Sequence, residues 1–280
     1  FTIARLADGS FGERFFMVGP GAAHNIDLDF LQKNLPRDGS VYLSDKTNQY
    51  GVFVLAGPNA RAVLQKIADS DVSNQAFKWL TMKEIPIGFC PSVRAMRVNF
   101  VGSLGWELHH PIEYQLQIFE SLQEAGAEFD IKNVGMRAMD SMRLEKSYRL
   151  WGTDLNAENT AIEANLQRFI KLNKGDFTGR QALVEQQETG VPYRFCTIEI
   201  EADDADSFGN EPIFVNGKVV GRGTSGGFGH YTKKSLMLGY VESEYATVGQ
   251  DCKVRLLDKM MPAKLIAESP YDPESLVLKA

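Results

Sequence analysis

The sequence predicts an α+β protein in which a mixed helix-and-sheet region is followed by a small all-β one. Three observations carry this expectation. Helix-period segments interleave with strand-like runs through the first two thirds of the chain. After about residue 190, short alternating runs separated by turn residues continue with no long helix between them, as in a small barrel or sandwich. The length of 280 residues, with 44% apolar side chains, suits one large domain or two smaller ones. A boundary near residues 185–193 divides the chain into 1–188 and 189–280.

The elements follow in order. Phe1, Ile3 and Leu6 read as one strand, Asp8-Gly9-Ser10 as a turn, and Arg14 to Val18 as a second strand. Ile26 to Leu35 carries apolar residues at helical spacing. Tyr50 to Leu55 is a strand, and Pro58 then opens a helix over 58–68 with Ala60, Val63, Leu64 and Ile67 on its apolar face. Arg94 to Phe100 alternates, and the glycine-bounded Gly102-Ser103-Leu104-Gly105 leads into Trp106-Glu107-Leu108-His109, which predicts a hairpin. Pro111 opens a helix with Ile112, Leu116, Phe119 and Leu122 on one stripe. A further helix covers Met136 to Tyr148, with Met136, Met139 and Met142 as a packed face. Arg143 and Glu145 on it belong either to a buried ion-pair network or to an exposed one. Phe195 to Ile200 is a strand, and Asn216-Gly217 joins Ile213-Phe214-Val215 to Lys218-Val219-Val220 as a tight hairpin. Leu236 to Val241, Val254 to Leu257 and Lys264-Leu265-Ile266 complete the strands.

Composition excludes several function classes. With 36 acidic and 30 basic side chains the net charge is −6, which leaves no basic excess for a general nucleic-acid binder. No apolar run approaches the roughly 20 residues of a membrane span. Cys90, Cys196 and Cys252 lie far apart, so neither a disulfide scaffold nor a CxxC metal site is expected, and they read as reduced intracellular thiols. His109 and His110 are adjacent on a strand and point to opposite faces, so one metal ion cannot use both. No metal site is expected from the four histidines.

Gly221-Arg222-Gly223-Thr224-Ser225-Gly226 matches GxGxxG, but a dinucleotide fingerprint needs a strand before it and a helix after it. A hairpin precedes it here and short strands follow, so it reads as a flexible β-connection. Neither a GxSxG elbow nor a P-loop is present. Glu107 is more informative. A strand carboxylate reached through a glycine turn and flanked by aromatics can accept from two adjacent N–H donors of a flat heterocycle such as a pterin. Spacing alone leaves open the alternative of a solvent-facing polar residue.

Taken together, Ala56-Gly57-Pro58-Asn59-Ala60-Arg61, Gly102 to Leu108, Asp140-Ser141-Met142-Arg143-Leu144-Glu145-Lys146, Trp151-Gly152-Thr153-Asp154-Leu155, Lys174 to Arg180, Thr224-Ser225-Gly226 and Leu238-Gly239-Tyr240-Val241 resemble the folate-binding aminomethyltransferase family, typified by the glycine cleavage T-protein. They run along nearly the whole chain. Ala138-Met139-Asp140 and Trp106-Glu107 are most similar to the folate region of the dimethylglycine and sarcosine dehydrogenase branch. The resemblance implies a folate-binding region over 1–188 and a C-terminal β-barrel over 189–280. It implies tetrahydrofolate as the bound cofactor and capture of a one-carbon unit, from oxidation of an N-methyl amine, as 5,10-methylenetetrahydrofolate. The flavin, FAD, would belong to an upstream domain or subunit outside this chain. Partners would be folate and the one-carbon donor, with neither nucleic acid nor membrane, in the cytoplasm or the mitochondrial matrix. A stand-alone aminomethyltransferase and a non-catalytic regulatory module like the pyruvate dehydrogenase phosphatase regulatory subunit are the alternatives.

The resemblance also implies roles. Glu107 matches the pterin-binding glutamate, and Phe100 an aromatic position that is usually tyrosine. Leu108 and His109 follow along the pocket strand. Phe1, Thr2 and Ile3 match residues that touch folate just after an acidic position, and Arg168 stands where the dehydrogenases tend to carry tyrosine. The chain opens on Phe1 without methionine, so the region is expected to be N-terminally incomplete and to lack that acidic residue. No catalytic residue is therefore assigned.

Overall fold

The opening residues pair as expected: β1 (Thr2–Arg5) lies antiparallel to β2 (Phe15–Val18) in the computed structural model, which describes residues 1–10, 12–202 and 204–280. After α1 (His24–Lys33) come β3 (Tyr50–Ala56), α2 (Ala60–Ile67), β4 (Met82–Ile87), β5 (Cys90–Met96), β6 (Gly105–Pro111) and α3 (Gln115–Gly126). Strands β3 to β6 form a four-stranded sheet in the order β3-β6-β5-β4, antiparallel throughout. Its covered face carries Leu55, Ala95, Trp106 and Leu108, which share a core with Val63 and Leu64 of α2 and Ile118 and Leu122 of α3. Residues 1–99, 103–132 and 277–280 make up this first unit.

The second unit holds residues 100–102 and 133–276. It contains α4 (Met136–Glu145), α5 (Arg180–Thr189), β7 (Tyr193–Ile200), β8 (Pro212–Val215), β9 (Lys218–Gly229), β10 (Lys234–Glu242), β11 (Asp251–Leu256) and β12 (Lys259–Ile266). The six strands close into a barrel in the order β10-β7-β12-β11-β8-β9. Alternation fills it with Ile198, Ile213, Val254 and Leu265, and closure leaves no open sheet edge. The β8–β9 hairpin turns at Asn216 (φ +50°) and Gly217 (φ +80°), the left-handed pair that matches strand twist. No helix among the described residues is long and apolar enough to cross a membrane.

Four expectations need correction. The strand expected over 94–100 is β5, which ends at Met96, because Arg97 turns inward to donate to the Phe77 carbonyl at 2.7 Å. On α3 the buried residues are Ile118, Leu122 and Ala125, whereas Ile112 and Leu116 are exposed. A 3₁₀ turn over Ile112–Tyr114 precedes the helix, so a phase counted from Ile112 at 3.6 residues per turn is lost. On α4 the methionine face is only partly packed: Met136 is exposed, Met139 and Met142 are half-buried, and the buried residues are Arg143, Leu144 and Glu145. The glycine-rich 221–229 segment is no connection but the body of β9, bonded to both neighbours. Its glycines serve close approach, since a Cβ on Gly221 would strike the Tyr240 carbonyl.

The buried end of α4 packs Leu144 against Phe195, Leu238 and Tyr240, and its neighbours Arg143 and Glu145 enter a polar network. Arg143 Nη1 donates to Asp154 Oδ2 at 2.6 Å, and both side chains are essentially inaccessible. Asp154 also accepts from the Leu150 N–H at 2.8 Å and the Ser225 hydroxyl at 2.8 Å, and from the Thr224 hydroxyl. A β-bulge between Leu238 and Gly239 of β10 leaves Thr224 unpaired on β9, which lets adjacent hydroxyls reach the same carboxylate. Glu145 accepts from the Tyr231 and Thr232 N–H groups at 3.0 and 2.6 Å, so it acts as a backbone anchor, with no ion-pair partner among the described residues.

Asp154→Asn removes the buried carboxylate and leaves Arg143 only the half-exposed Asp140, 2.6 Å from its Nε, as an ionic partner, and a loss of about 3 kcal/mol in a urea titration is expected. Burial gives a second prediction. It pushes the Cys196 thiol from its ordinary 9.0 up to about 12. An unfolded thiol therefore ionises first, so stability is unaffected below pH 9 and declines above it. Over pH 9–11 the decline should be shallower in Cys196→Ala by up to about 1.4 kcal/mol per pH unit.

Candidate functional site

Strand β6 sorts its side chains by alternation. Trp106, Leu108 and His110 point into the helix-covered core. His110 Nε2 donates to Gln115 Oε1 (2.7 Å), and the ring stacks on Phe53 at 5.1 Å. Glu107 and His109 point to the other face, where their neighbours across the strands are Val54 and Met96 for Glu107, and Val52 and Arg94 for His109. The opposed placement of His109 and His110 follows the sequence expectation. Among the described residues no cluster of three His, Cys, Asp or Glu side chains could hold a metal ion.

The Glu107 face is a carboxylate set in apolar surroundings. Glu107 keeps a quarter of its side-chain surface exposed, and its Oε2 lies 3.2 Å from His109 Nε2. Val52 and Val54 beside them are largely exposed, although both sit on a sheet. Phe16 of β2 presses its edge on the His109 ring at 5.3 Å, so the β1–β2 hairpin that holds Phe1, Thr2 and Ile3 reaches this face through Phe16. Arg94 lies 4.7 Å over Phe16 and 5.0 Å over Tyr50 while its Nε donates to Glu84 at 3.0 Å. Phe1, Thr2 and Ile3 are exposed. Leu108 is buried on the opposite face, which leaves only its backbone for a ligand beside Glu107.

Phe100 and Arg168 belong to the second unit. Phe100 stacks on Tyr148 with ring centroids 6.0 Å apart. Burial raises the Tyr148 phenol above its ordinary value, Arg168 nearby opposes that shift, and Asp272 reinforces it. Arg168 itself is exposed and lies over the Phe169 ring at 4.7 Å. Beneath the 100–102 turn runs the buried Lys146, whose Nζ donates to the Asp272 carbonyl at 2.7 Å and the Tyr271 carbonyl at 3.2 Å. Gly102, at φ +74°, sits directly on the Lys146 stem.

Of the aromatics that flank Glu107 in the sequence, Trp106 does not line its face, since it is wholly buried with Phe77 at its edge. The sequence did not single out Phe16, Arg94 or Tyr148 as site residues. Alternation in β2 and β5 carried the signal for the first two. Tyr148 follows the end of α4, where no periodicity marks it.

Two family descriptions match the chain: "GCVT N-terminal domain" over residues 1–174 and "Glycine cleavage T-protein C-terminal barrel domain" over residues 194–272. Human mitochondrial dimethylglycine dehydrogenase is 39% identical over 259 residues, covering 92% of this chain and 30% of that one. An aminomethyltransferase of Desulfitobacterium hafniense is 31% identical over 261 residues, covering 92% of this chain and 70% of that one. The glycine cleavage system aminomethyltransferase T from Bartonella henselae superposes with a TM-score of 0.79 at 23% identity, covering 92% of this chain and 69% of that one, which shows the fold. The chain thus spans under a third of the dehydrogenase's length.

Gly102→Ala forces an L side chain into the left-handed region and onto a buried stem, so about 2 kcal/mol or more should be lost. Gly135→Ala, at φ −83° with nothing near its added methyl, should be neutral in the same thermal melts.

Proposed function

The chain belongs to the glycine cleavage T-protein family, and from that premise we propose that it is the tetrahydrofolate-binding, one-carbon-transfer region of a dimethylglycine or sarcosine dehydrogenase-like protein. The observation that carries this reading is Glu107, a part-exposed carboxylate flanked by the exposed Val52 and Val54. Its two oxygens offer about four acceptor positions, and His109 occupies one of them. The rest suit a flat heterocycle with two adjacent N–H donors, while the valines supply apolar contact for its faces. Tetrahydrofolate, when bound, supplies the N5 and N10 nitrogens that take the carbon of an N-methylene iminium, releasing the demethylated amine and a proton.

The protein's own part in this scheme is to bind and orient. Glu107 fixes the pterin edge, and the hairpin residues Phe1, Thr2 and Ile3 and the backbone at Leu108 flank it. Phe100, backed by Tyr148, and Arg168 are proposed as further folate contacts. Holding an acceptor amine next to a reactive electrophile accelerates capture by proximity and limits loss of the carbon to water. FAD chemistry is assigned to another domain or subunit of the parent protein, and the named location of the human relative favours the mitochondrial matrix. The sequence boundary at 188/189 is retained as the proposed division between folate region and barrel domain.

The test is calorimetric titration of the chain with tetrahydrofolate. Glu107→Gln puts an amide N–H₂ against one of the ligand's donors, and affinity should fall about 10–100-fold. Equal affinities in the two proteins would overturn the assignment.

A further inference from the structure

We propose that His109 is a positioning residue: its imidazole holds Glu107 in the orientation that leaves the carboxylate's outer positions to a paired N–H donor. This rests on the folate reading of Glu107. The two residues lie two apart on β6, so alternation puts them on one face, with Nε2 3.2 Å from Oε2. An ionised carboxylate only accepts, so this contact requires the proton on Nε2. His109 retains 2% of its side-chain surface, whereas Glu107 retains 25%. The imidazole therefore offers a ligand almost no surface of its own and acts through its neighbour.

The ring is fixed on its other sides. Phe16 abuts it edge-on at 5.3 Å and 83°, and Val52 and Arg94 flank it across the strands. Arg94, the charged group nearest in register, is engaged with Glu84, Phe16 and Tyr50. Glu107 is the polar partner of the His109 ring among the described residues. A part-exposed glutamate otherwise samples several rotamers, and each must be given up on binding. Locking one rotamer in the free protein removes that loss, which is preorganisation. The same donor also explains why an amide would fail at position 107. Its oxygen would turn toward His109 Nε2–H, leaving the N–H₂ facing the ligand's donors.

The experiment uses the full chain and tetrahydrofolate in a double-mutant cycle. His109→Phe keeps ring volume but deletes the donor and should weaken binding about 3–10-fold. His109→Gln restores a donor at the ε position and should recover affinity to within about twofold of the parent. Glu107→Gln should lose less in the His109→Phe background than alone, because the amide is then free to flip. If Glu107→Gln abolishes binding while His109→Phe does not alter it, the positioning role is wrong and the folate site stands. If Glu107→Gln binds as well as the parent, the folate reading itself fails. Histidine ¹⁵N spectra of the ligand-free protein give a readout independent of folate, and the protonation of Nε2 in the parent is independent of folding in the variants. A protonated Nε2 at His109 that shifts in Glu107→Gln is expected, and a bare Nε2 overturns the proposal.

Discussion

The carboxylate of Asp154 is the constraint on which the second unit depends. It is inaccessible to water, yet it is met by the Arg143 guanidinium, one backbone N–H and two hydroxyls. An isolated charge in that position would be prohibitive, so every partner has to be present at once. These partners come from the end of α4, the 148–155 turn and the bulge in β9. Tyr240 on β10 adds a bond from its hydroxyl to the Asp154 carbonyl at 2.8 Å. Four separated pieces of sequence are thereby held to one point, and the barrel wall and the helix above it cannot shift independently.

That network changes the meaning of the motifs. Asp140 to Lys146, Trp151 to Leu155 and Thr224-Ser225-Gly226 read in the sequence as marks of a ligand-binding family. In the structure, Arg143, Asp154, Thr224 and Ser225 bond to one another, Glu145 anchors the 231–232 backbone, and Lys146 anchors residues 271–272. They maintain architecture. Glu107, by contrast, has His109 as its polar side-chain partner among the described residues, and Val52 and Val54 beside it stay open to solvent. A pattern that identifies a family is thus divided between residues that build the scaffold and a few that remain available for chemistry.

The sequence by itself determined the things that depend on local periodicity and steric rules. The β1–β2 hairpin, β3, α2, the Asn216-Gly217 turn and the barrel strands lie within a few residues of where alternation and turn chemistry put them. The opposition of His109 and His110, and the pairing of Glu107 with His109 on one face, follow from the two-residue period of a strand. Glu107 was legible as a candidate carboxylate from its glycine turn and flanking aromatics, and as a pterin ligand only through the family resemblance.

Only the tertiary structure decided what lies across from each residue. The face of β6 covered by helices is fixed by α2 and α3, and that choice buries Trp106 and exposes Glu107. Phe16 meets His109 through a ring contact from the distant β1–β2 hairpin, and Arg94 joins it through the β5–β6 pairing. Met136, Met139 and Met142 read as one packed stripe, yet Met136 is exposed and the other two are half-buried, because local spacing cannot tell how far a covering partner reaches. Burial instead went to Arg143 and Glu145, whose partners lie in distant segments. A periodic pattern states that a face exists; the chain's long-range contacts state which face meets water, and the exposure of Glu107 depends on that second decision.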